Sequence, residues 1–532
     1  VQQGAKHQNF CLPIQPITIG LTLLELISHS LSLNLIYTIQ HDRFTMNNKH
    51  RHTKVIFTIG PSTIDESIIQ NIILEGVDIC RVNMAHADHE WARMAIKKVR
   101  SACKEVGREI AILMDIKGPE IRTSQIEKDI DLRVGAFIDI ISDEKNLKQL
   151  DDDIPVIGTN YPNFHHDINV GQVIVVDNGL LRWKVKSIEG ERIRCEIENN
   201  GTLGSRRHIN LPGVYVNLPA LTNKDKGDVK IGIEEGINFF ALSFVREANA
   251  VEILRRYLEE NGSKASIIAK IEEQKGIKNL DEIIQASDGI MIARGDLGIE
   301  CPMEELPIIQ HKAVKKCILQ GKPVIVATHL LESMIVNPVP TRAEVSDVST
   351  AILQEADCVM LSGETTTGAH PLECIKVINR ISNHIESIVE PHLTEDLKLK
   401  HPKAKMLRSA AVLAMELEKA SILIFTRNKY IPQLLSSLRP NKVPIYAFTD
   451  VPHIFKQMLL LWGVEPFLMD FSEDSEITIQ RAIDKLKVNK WVYAGDYIVT
   501  LTNVFAHDKT IESIQLREVE DDISTYCDLT AD

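Results

Sequence analysis

The chain lacks the cysteine patterns of a disulfide-stabilised or zinc-binding protein. Its nine cysteines include no CxxC pair, and none lies at zinc-finger spacing from a histidine. Because disulfides persist mainly in oxidising compartments, this pattern predicts reduced thiols and a cytoplasmic protein. Cys80 and Cys358 are flanked by apolar residues, which predicts that both thiols are buried in a core.

Positive charge is also scarce. The chain has 60 Lys and Arg against 73 Asp and Glu, which gives a formal net charge of -13. Such an acidic molecule is not expected to bind nucleic acid or an anionic membrane. A phosphate site must therefore be a local basic cluster. The candidate residues are Arg81, Lys117, Arg122, Arg206, Arg207, Lys270 and Arg294.

Two further absences concern nucleotides and membranes. Neither GxxxxGKS/T nor GxGxxG occurs, so a bound nucleotide would have to use another kind of site. The apolar segment Ile17–Ile39 is interrupted by Glu25 and His29, which argues against a membrane span. We predict an N-terminal extension of residues 1–45 that is helical, with a span or signal segment as the alternative. Met46 is a possible alternative start.

What the sequence does contain is a series of short apolar runs separated by amphipathic stretches. A length of 532 residues predicts about three domains. Eight runs are typical of buried strands, namely Lys54–Ile59, Asp78–Asn83, Ile110–Asp115, Phe239–Phe244, Ile267–Ile271, Gly289–Ala293, Pro323–Ala327 and Asp357–Leu361. Alternating strands and helices predict parallel pairing, so the fold class is α/β with a (β/α)8 TIM barrel in residues 46–122 and 217–391.

An insert interrupts the barrel pattern. Residues 123–216 contain short β-branched runs punctuated by glycine, which predict a small β-barrel lid domain with antiparallel strands. An insertion in a βα connection lies on the ligand side of such a barrel. The linkers 117–120 and 217–220 carry glycine and proline and are predicted to be hinges. A purely decorative insertion is the alternative.

The last part of the chain has a pattern of its own. Residues 392–532 predict a C-terminal α/β domain that begins with a helix at Lys403–Leu417. Its predicted strands are Ser421–Thr426, Pro444–Thr449, Pro466–Met469 and Tyr497–Leu501.

The strongest signal for chemistry is charge at the ends of two neighbouring runs. Lys270 and Glu272 end one run, and Asp296 follows the next. The C-terminal ends of barrel strands meet at one mouth, where ligands bind. Glu272 and Asp296 are hard oxygen ligands suited to Mg²⁺, Lys270 is a point charge suited to phosphate, and Gly295 lets backbone approach an anion. A solvated cluster of charges is the alternative.

Eight segments, several of them at the predicted strand ends, resemble those of one enzyme family. They are FTIGPS (57–62), DIKGPEIR (115–122), NLPG (210–213), KIE (270–272), ARGDLGIE (293–300), ATHLLESM (327–334), PTRAE (340–344) and LSGET (361–365). In this order they resemble pyruvate kinase, from about residue 53 to the C-terminus. The resemblance implies a homotetramer that transfers a phosphoryl group from phosphoenolpyruvate to ADP in the last step of glycolysis.

The resemblance also implies roles for individual residues. Catalysis is assigned to Lys270, Arg81 and Thr328, and substrate binding to Ser243, Gly295 and Ser362. The nucleotide is assigned to Pro61, His86, Arg122 and Arg207. Mg²⁺ (or Mn²⁺) is assigned to Glu272 and Asp296, and K⁺ to Asn83, Asp115 and the carbonyl of Ile116. Arg342 and Glu344 are predicted to form an ion pair that organises a helix rather than to act directly.

Several positions depart from the family pattern. Ala85 replaces a common serine, which removes a K⁺ ligand, while Glu120 resembles the acidic residue of potassium-dependent forms. We therefore predict K⁺ dependence with reduced affinity. Other departures are Asn178 for an acidic residue, Arg207 for lysine and His329 for glutamine.

Two loops bear on regulation. Relatives that are activated by fructose 1,6-bisphosphate use a Ser/Thr/Gly-rich loop and a glycine-rich loop in the C-terminal domain. Residues 426–430 read TRNKY and residues 502–510 read TNVFAHDKT, without glycine in either. The sequence thus predicts that this sugar bisphosphate does not activate the enzyme.

Two rival functions remain open from the residues alone. One is a non-catalytic binding protein on the same barrel, although it would not need to keep Lys270, Glu272 and Asp296. The other is a lyase or aldolase that acts on phosphoenolpyruvate or pyruvate at a barrel metal site, although it would not need a lid.

Overall fold

The computed structural model describes residues 51–147, 154–394, 397–506 and 509–521, with backbone alone for residues 503–511. The predicted N-terminal extension of residues 1–45, and the possible start at Met46, lie outside the described residues. No helix within the described ranges is both long enough and apolar enough to cross a bilayer.

Twenty-two strands make up the sheets of the described residues. In chain order they are β1 (Lys54–Thr58), β2 (Ile79–Asn83), β3 (Ala111–Ile116), β4 (Ile121–Arg122), β5 (Ile130–Leu132), β6 (Phe137–Ile141), β7 (Val156–Gly158), β8 (Val173–Val176), β9 (Leu181–Glu189), β10 (Arg192–Ile197), β11 (Gly201–Leu203), β12 (His208–Asn210), β13 (Phe239–Leu242), β14 (Ser266–Ile271), β15 (Gly289–Ala293), β16 (Val324–Ala327), β17 (Cys358–Met360), β18 (Ala420–Phe425), β19 (Ile445–Thr449), β20 (Val464–Leu468), β21 (Tyr497–Ala506) and β22 (Lys509–Glu518).

The helices lie mainly between these strands. In the barrel part they are Glu66–Leu74, His89–Val106, Asn223–Glu234, Ala248–Glu260, Gln274–Lys278, Leu280–Ala286, Arg294–Glu300, Leu306–Leu319, Arg342–Leu353, Gly363–Thr366 and Pro371–Ile388. The insert adds Phe164–Asp167, and the C-terminal part has Pro402–Glu416, Tyr430–Ser437, Pro452–Met458 and Ser475–Val488. Short 3₁₀ turns are Glu144–Asn146, Met303–Glu305 and Glu332–Ile335.

Eight parallel strands close into a barrel in the order β1-β17-β16-β15-β14-β13-β3-β2, which confirms the predicted TIM barrel. Each strand is a nearly continuous apolar run because both of its faces are covered. Side chains such as Ile56, Phe239 and Met291 fill the interior, where Leu459 and Leu460 of the C-terminal part join them. The predicted strand bounds differ from the observed ones by at most two residues, as frayed ends allow.

The insert between β3 and β13 forms a seven-stranded sheet in the order β4-β12-β8-β9-β10-β6-β7, with a two-stranded sheet of β5 and β11. Its strands are antiparallel except β6 and β7, which pair in parallel. The prediction of antiparallel strands throughout was therefore wrong for this pair. The sheet covers its own core around Phe164 and Trp183.

The C-terminal part contains a five-stranded sheet in the order β20-β19-β18-β21-β22, which confirms the predicted α/β class. One expectation was wrong here. Residues 502–510 were predicted to be a loop, but β21 runs to Ala506 and pairs with β22 from Lys509 as an antiparallel hairpin. Residues 502–510 include the β-branched Thr502, Val504 and Thr510 and the aromatic Phe505, types that suit a pleated sheet better than a phosphate-binding loop.

Buried ionic contacts join the C-terminal part to the barrel. Arg439 Nη1 lies 2.9 Å from Asp357 Oδ1, and both side chains are almost fully buried. Lys54 donates a hydrogen bond to the carbonyl of Val464 at 2.7 Å. These contacts lie at the start of β17 and β1, at the barrel end opposite the strand C-termini.

Candidate active site

Lys270 lies near the C-terminal end of β14, where three oxygen groups surround its ammonium. Its Nζ lies 2.9 Å from Glu272 Oε1, 3.2 Å from Asp115 Oδ1 and 2.8 Å from Ser243 Oγ. Burial alone would lower the pKa of Lys270, but the carboxylates of Asp115 and Glu272 raise it above its usual value. The side chain therefore stays a fixed positive charge at the mouth of the barrel.

Arg81, in the middle of β2, also contacts the carboxylate of Asp115. Its Nε and Nη2 approach Asp115 Oδ2 at 2.8 and 2.7 Å, and its Nη1 donates to Thr58 Oγ1 at 3.0 Å. Burial would raise the pKa of Asp115, but Lys270 and Arg81 hold it below the usual value. The structure thus brings two predicted catalytic cations together on one ionised aspartate.

Glu272 and Asp296 form the predicted metal site. Glu272 Oε2 accepts a hydrogen bond from the amide of Phe244 at 2.6 Å. Burial, and beyond it the nearby Asp296 carboxylate, raise the pKa of Glu272 to about 7 against the opposing effect of Lys270. Two carboxylates that repel each other in a buried site suit a divalent cation.

No group of three or more metal-ligating side chains of the His, Cys, Asp or Glu type occurs within the described ranges. The two carboxylates of Glu272 and Asp296 suit Mg²⁺, which commonly takes one or two protein carboxylates and completes its shell with water and substrate oxygens.

Thr328, which follows β16, has a strained backbone. Its φ is 68°, and that of His329 is 55°, in the left-handed region that β-branched residues rarely adopt. Thr328 Oγ1 accepts a hydrogen bond from the amide of Gly295 at 2.7 Å and donates to the carbonyl of Ala327. The Gly295 amide, assigned above to substrate, is therefore used by Thr328 in this structure.

The predicted K⁺ residues lie at the C-terminal ends of β2 and β3. Ser243 Oγ donates to the carbonyl of Ile116 at 2.8 Å, and Asn83 Oδ1 accepts from the amide of Ala85 at 3.1 Å. Ser243, predicted to bind substrate, lies between Lys270 and this carbonyl, where it fixes the position of the ammonium.

The predicted nucleotide residues divide between barrel and insert. Pro61 and His86 are exposed in the loops after β1 and β2. Arg122 Nε lies 2.6 Å from Glu120 Oε2, and Arg207 Nη1 lies 3.4 Å from Asp177 Oδ1. Arg122 lies on β4 opposite His208 of β12, and Arg207 immediately precedes β12.

Glu364 has a structural role in the site that the sequence did not indicate. Its carboxylate is fully buried and accepts from the amides of Leu331 at 3.0 Å and Ser362 at 2.7 Å. It thereby joins the loops that follow β16 and β17. Ser362 Oγ is buried and has no hydrogen-bonding partner within the described ranges, which leaves it available to a ligand or water. Both Ser362 and Glu364 lie in the LSGET segment (361–365), one of the eight segments that resemble the enzyme family.

Two polar residues near the site have other roles than expected. Glu344 accepts from Thr341 in a capping box and from Ser333 Oγ at 2.5 Å, so the predicted ion pair with Arg342 was wrong. Its carboxylate satisfies the free amides of a helix start instead. Arg294 is buried, 2.6 Å from Asp347 Oδ1, and does not serve as a phosphate ligand in this geometry.

A cavity of about 150 Å³ lies beside the site, between the insert and the barrel. Glu300, Asn210 and His208 line it. Asn210 Nδ2 donates to Glu300 Oε1 at 3.2 Å. Burial, and then the charge of Glu273, raise the pKa of Glu300 to about 7.

We expect Glu300→Gln to stabilise the enzyme at pH 8 but not at pH 5. The folded-state pKa of about 7 exceeds the usual 4.5. The stability that this carboxyl contributes is therefore present below pH 4.5 and is lost as the pH rises through 7. Glutamine keeps the oxygen that accepts from Asn210 and carries no charge, so the gain at pH 8 should be roughly 1–3 kcal/mol.

The measurement is the thermal unfolding midpoint at both pH values, with exposed Glu304→Gln as the control. Equal midpoints of wild type and Glu300→Gln at pH 8 would contradict the prediction.

Comparisons with known proteins agree on one family. The barrel domain of pyruvate kinase matches residues 50–375, and the alpha/beta domain of pyruvate kinase matches residues 404–514. Plastidial pyruvate kinase 3 of Arabidopsis thaliana is 35% identical over 491 residues, which cover 91% of this chain and 85% of that protein. Pyruvate kinase of Geobacillus stearothermophilus is 38% identical over 462 residues, 85% of this chain and 78% of that protein.

A solved structure is similar as well. A pyruvate kinase from Cryptosporidium parvum aligns with a TM-score of 0.83 and 31% sequence identity, over 90% of this chain and 97% of that one. With a lysine and two carboxylates at the barrel mouth and both family domains matched in order, the chain belongs to the pyruvate kinase family of phosphotransferases.

Proposed function

We propose that this enzyme transfers the phosphoryl group of phosphoenolpyruvate to ADP with Mg²⁺ and K⁺, and that Lys270 is its central catalytic residue. The observation that carries the proposal is the position of Lys270 Nζ, within 3.2 Å of Asp115, Glu272 and Ser243 at the strand ends. The test is pyruvate release from phosphoenolpyruvate with and without ADP. Turnover without ADP would indicate a lyase, and no turnover would indicate a binding protein.

The residues supply charge more than covalent chemistry. A phosphoryl group in transfer carries negative charge on its equatorial oxygens, so positioned cations lower the barrier. Lys270 and Arg81 provide two cations whose positions are fixed by Asp115. Bound through Glu272 and Asp296, Mg²⁺ would stabilise negative charge on substrate oxygens.

We assign Thr328 and Ser362 to the side of the substrate where carbon gains a proton. Thr328 Oγ1 is held between the Gly295 amide and the Ala327 carbonyl. Ser362 Oγ is buried with an open hydrogen-bonding capacity within the described part of the chain. A hydroxyl with no protein partner is suited to a relay through water.

For the nucleotide we propose Pro61, His86, Arg122 and Arg207, with closure of the insert 123–216 over the barrel. Arg207 lies on the insert and Lys270 on the barrel, so contact of both with one ADP–substrate pair needs a bend at the linkers. Gly118 in the first linker has φ 72° and donates to buried Asp225 at 3.0 Å, a fixed point for such a bend. Scattering profiles unchanged by Mg-ADP and a substrate analogue would count against closure.

We expect activity to require K⁺, with reduced affinity because Ala85 lacks a hydroxyl. The oxygens of Asn83, Asp115 and Ile116 remain for the ion. The charge of Glu120 is no longer a reason for the ion, because its carboxylate is paired with Arg122 at 2.6 Å and with Lys117 at 3.2 Å. Ala85→Ser should lower the K⁺ concentration for half-maximal rate. Equal wild-type rates in potassium and tetramethylammonium salts would refute the dependence.

Fructose 1,6-bisphosphate is not expected to activate the enzyme. Arg427, one of the two cations of the 426–430 loop, is bound to both carboxylate oxygens of Asp450 at 2.6 to 3.0 Å. Lys429 is bound to Asp288 at 2.5 Å. Substrate saturation curves with and without the sugar bisphosphate should coincide. A leftward shift that Arg427→Gln removes would show that the loop binds it after all.

We further propose a cytoplasmic homotetramer. Large apolar side chains are exposed on the barrel surface, such as Met303 at 73%, Val336 at 75% and Ile308 at 55%. Burial of these in subunit contacts would remove them from water. Sedimentation as a monomer at micromolar concentration would refute the homotetramer. Import of a tagged chain into an organelle would refute the cytoplasmic location.

A further inference from the structure

The first turns of the helix Asn223–Glu234 contact both linkers of the insert. Asp225 Oδ1 accepts a hydrogen bond from the amide of Gly118 in the first linker at 3.0 Å. Asp225 Oδ2 accepts from the amide of Thr222, two residues after the second linker (217–220), at 2.8 Å. Asp225 is fully buried, so one carboxylate fixes the backbone beside both ends of the insert.

Lys224, on the same turn, contacts the loop that follows β2. Its Nζ donates a hydrogen bond to the carbonyl of Met84 at 2.8 Å. The amide of Met84 donates to the carbonyl of Asp115 on β3 at 2.9 Å, and Met84 is fully buried. The backbone of Met84 is therefore fixed on two sides, by β3 and by Lys224, two residues before the predicted nucleotide residue His86.

The loop itself is a tight turn around Asn83. The amide of Ala85 donates to Asn83 Oδ1 at 3.1 Å. The amides of His86 and Ala87 donate to the carbonyl of Asn83 at 3.3 and 3.1 Å. Because these bonds leave the turn little freedom of its own, a shift of Met84 also moves His86.

The ammonium of Lys224 is oriented by a buried carboxylate. Lys224 Nζ lies 2.6 Å from Asp228 Oδ2, and His89 Nε2 lies 2.9 Å from Asp228 Oδ1. The side chain of Asp228 is fully buried, whereas those of Lys224 and His89 are 49% and 47% exposed. A hydrogen bond from such an oriented cation to a carbonyl contributes more than one between neutral groups. His89 begins the helix after the loop, so the cluster contacts the loop region on both sides of His86.

We propose that Lys224 is a positioning residue for the nucleotide, whose bond to the Met84 carbonyl sets the position of the 84–86 loop relative to the linkers of the insert. The inference rests on the proposed function, because it takes His86 as a contact of ADP. It adds a residue outside the eight segments that resemble the enzyme family, bonded to Met84 and Asp228 rather than to the groups around Lys270. One helix turn thus supports both the nucleotide loop and the linkers at which the insert bends.

The test compares Lys224→Met with wild type in steady-state kinetics and in direct titration with Mg-ADP. We expect the KM for ADP and the dissociation constant of Mg-ADP to rise about tenfold, as the loss of one charged hydrogen bond implies. The KM for phosphoenolpyruvate and kcat should stay within about twofold of wild type. The control Lys230→Met removes an exposed lysine further along the same helix and should leave all four values unchanged.

Two further variants separate positioning from stability, because Lys224→Met leaves the buried Asp228 with fewer partners. Lys224→Met/Asp228→Asn removes both charges and should show the same loss of Mg-ADP affinity. Lys224→Arg keeps a donor and should recover part of it. Thermal unfolding midpoints of all variants show that they are folded.

Unchanged Mg-ADP affinity in both Lys224→Met and Lys224→Met/Asp228→Asn would overturn the proposal. Equal increases in the KM for ADP and for phosphoenolpyruvate would also overturn it, since they would indicate a general structural effect. Absence of ADP-dependent turnover in the wild type would instead refute the proposed function, whereas the Mg-ADP titration tests Lys224 without turnover.

Discussion

Lys270→Met is expected to lower the rate of pyruvate formation by about 100-fold or more. The Nζ of Lys270 lies within hydrogen-bonding distance of Asp115, Glu272 and Ser243, so its position is fixed before substrate arrives. Methionine keeps most of the side-chain volume and removes the charge. The loss should fall on kcat, because the cation acts on charge that develops in the transition state.

The control for this prediction is Lys278→Met, which removes an exposed lysine a few residues further along the chain. It should leave kcat unchanged. Circular dichroism and binding of Mn²⁺ by Lys270→Met should remain close to wild type, since Glu272 and Asp296 are intact. Activity of Lys270→Met within about tenfold of wild type would refute the catalytic assignment.

Arg439→Met is expected to destabilise the enzyme by about 3–5 kcal/mol. Its guanidinium pairs with Asp357 at 2.9 Å, and the two side chains are 1% and 3% exposed. It also donates to the carbonyl of Glu355 at 2.9 Å and lies over the ring of Trp462. Removal of the cation leaves a buried carboxylate without its partner, at the junction of the barrel and the C-terminal part.

The exposed ion pair of Lys316 with Asp281 gives a matched comparison. Its side chains are 44% and 61% exposed, so Lys316→Met should cost less than about 1 kcal/mol. Urea unfolding monitored by two probes gives both values and shows whether the transition is cooperative. Equal costs for the two variants would contradict the idea that burial makes the Arg439 pair important.

Much of the barrel could be predicted because its signals are local. A buried parallel strand is a short apolar run, and polar residues such as Arg81, Asp115 and Lys270 at the ends of these runs face one mouth by topology alone. The same reasoning brought Glu272 and Asp296 together without knowledge of any distance. The family resemblance then assigned roles that neither spacing nor composition could give.

Side-chain directions decided what the sequence patterns could not. Glu120 looked like a carboxylate in need of an ion, but Arg122 and Lys117 already pair with it. Glu344 accepts hydrogen bonds from Ser333 rather than an ion pair from Arg342. Such partners depend on side-chain directions in three dimensions, which charge and spacing along the chain do not specify.

The sequence by itself determined the fold class, the three parts of the chain and the residue types at the strand ends, because apolar periodicity and strand polarity are properties of consecutive residues. Only the tertiary structure decided how the charges are shared. It placed Asp115 between Arg81 and Lys270, and Asp288 between Arg255 and Lys429. The reason is that electrostatic pairing depends on distance and burial between residues far apart in the chain.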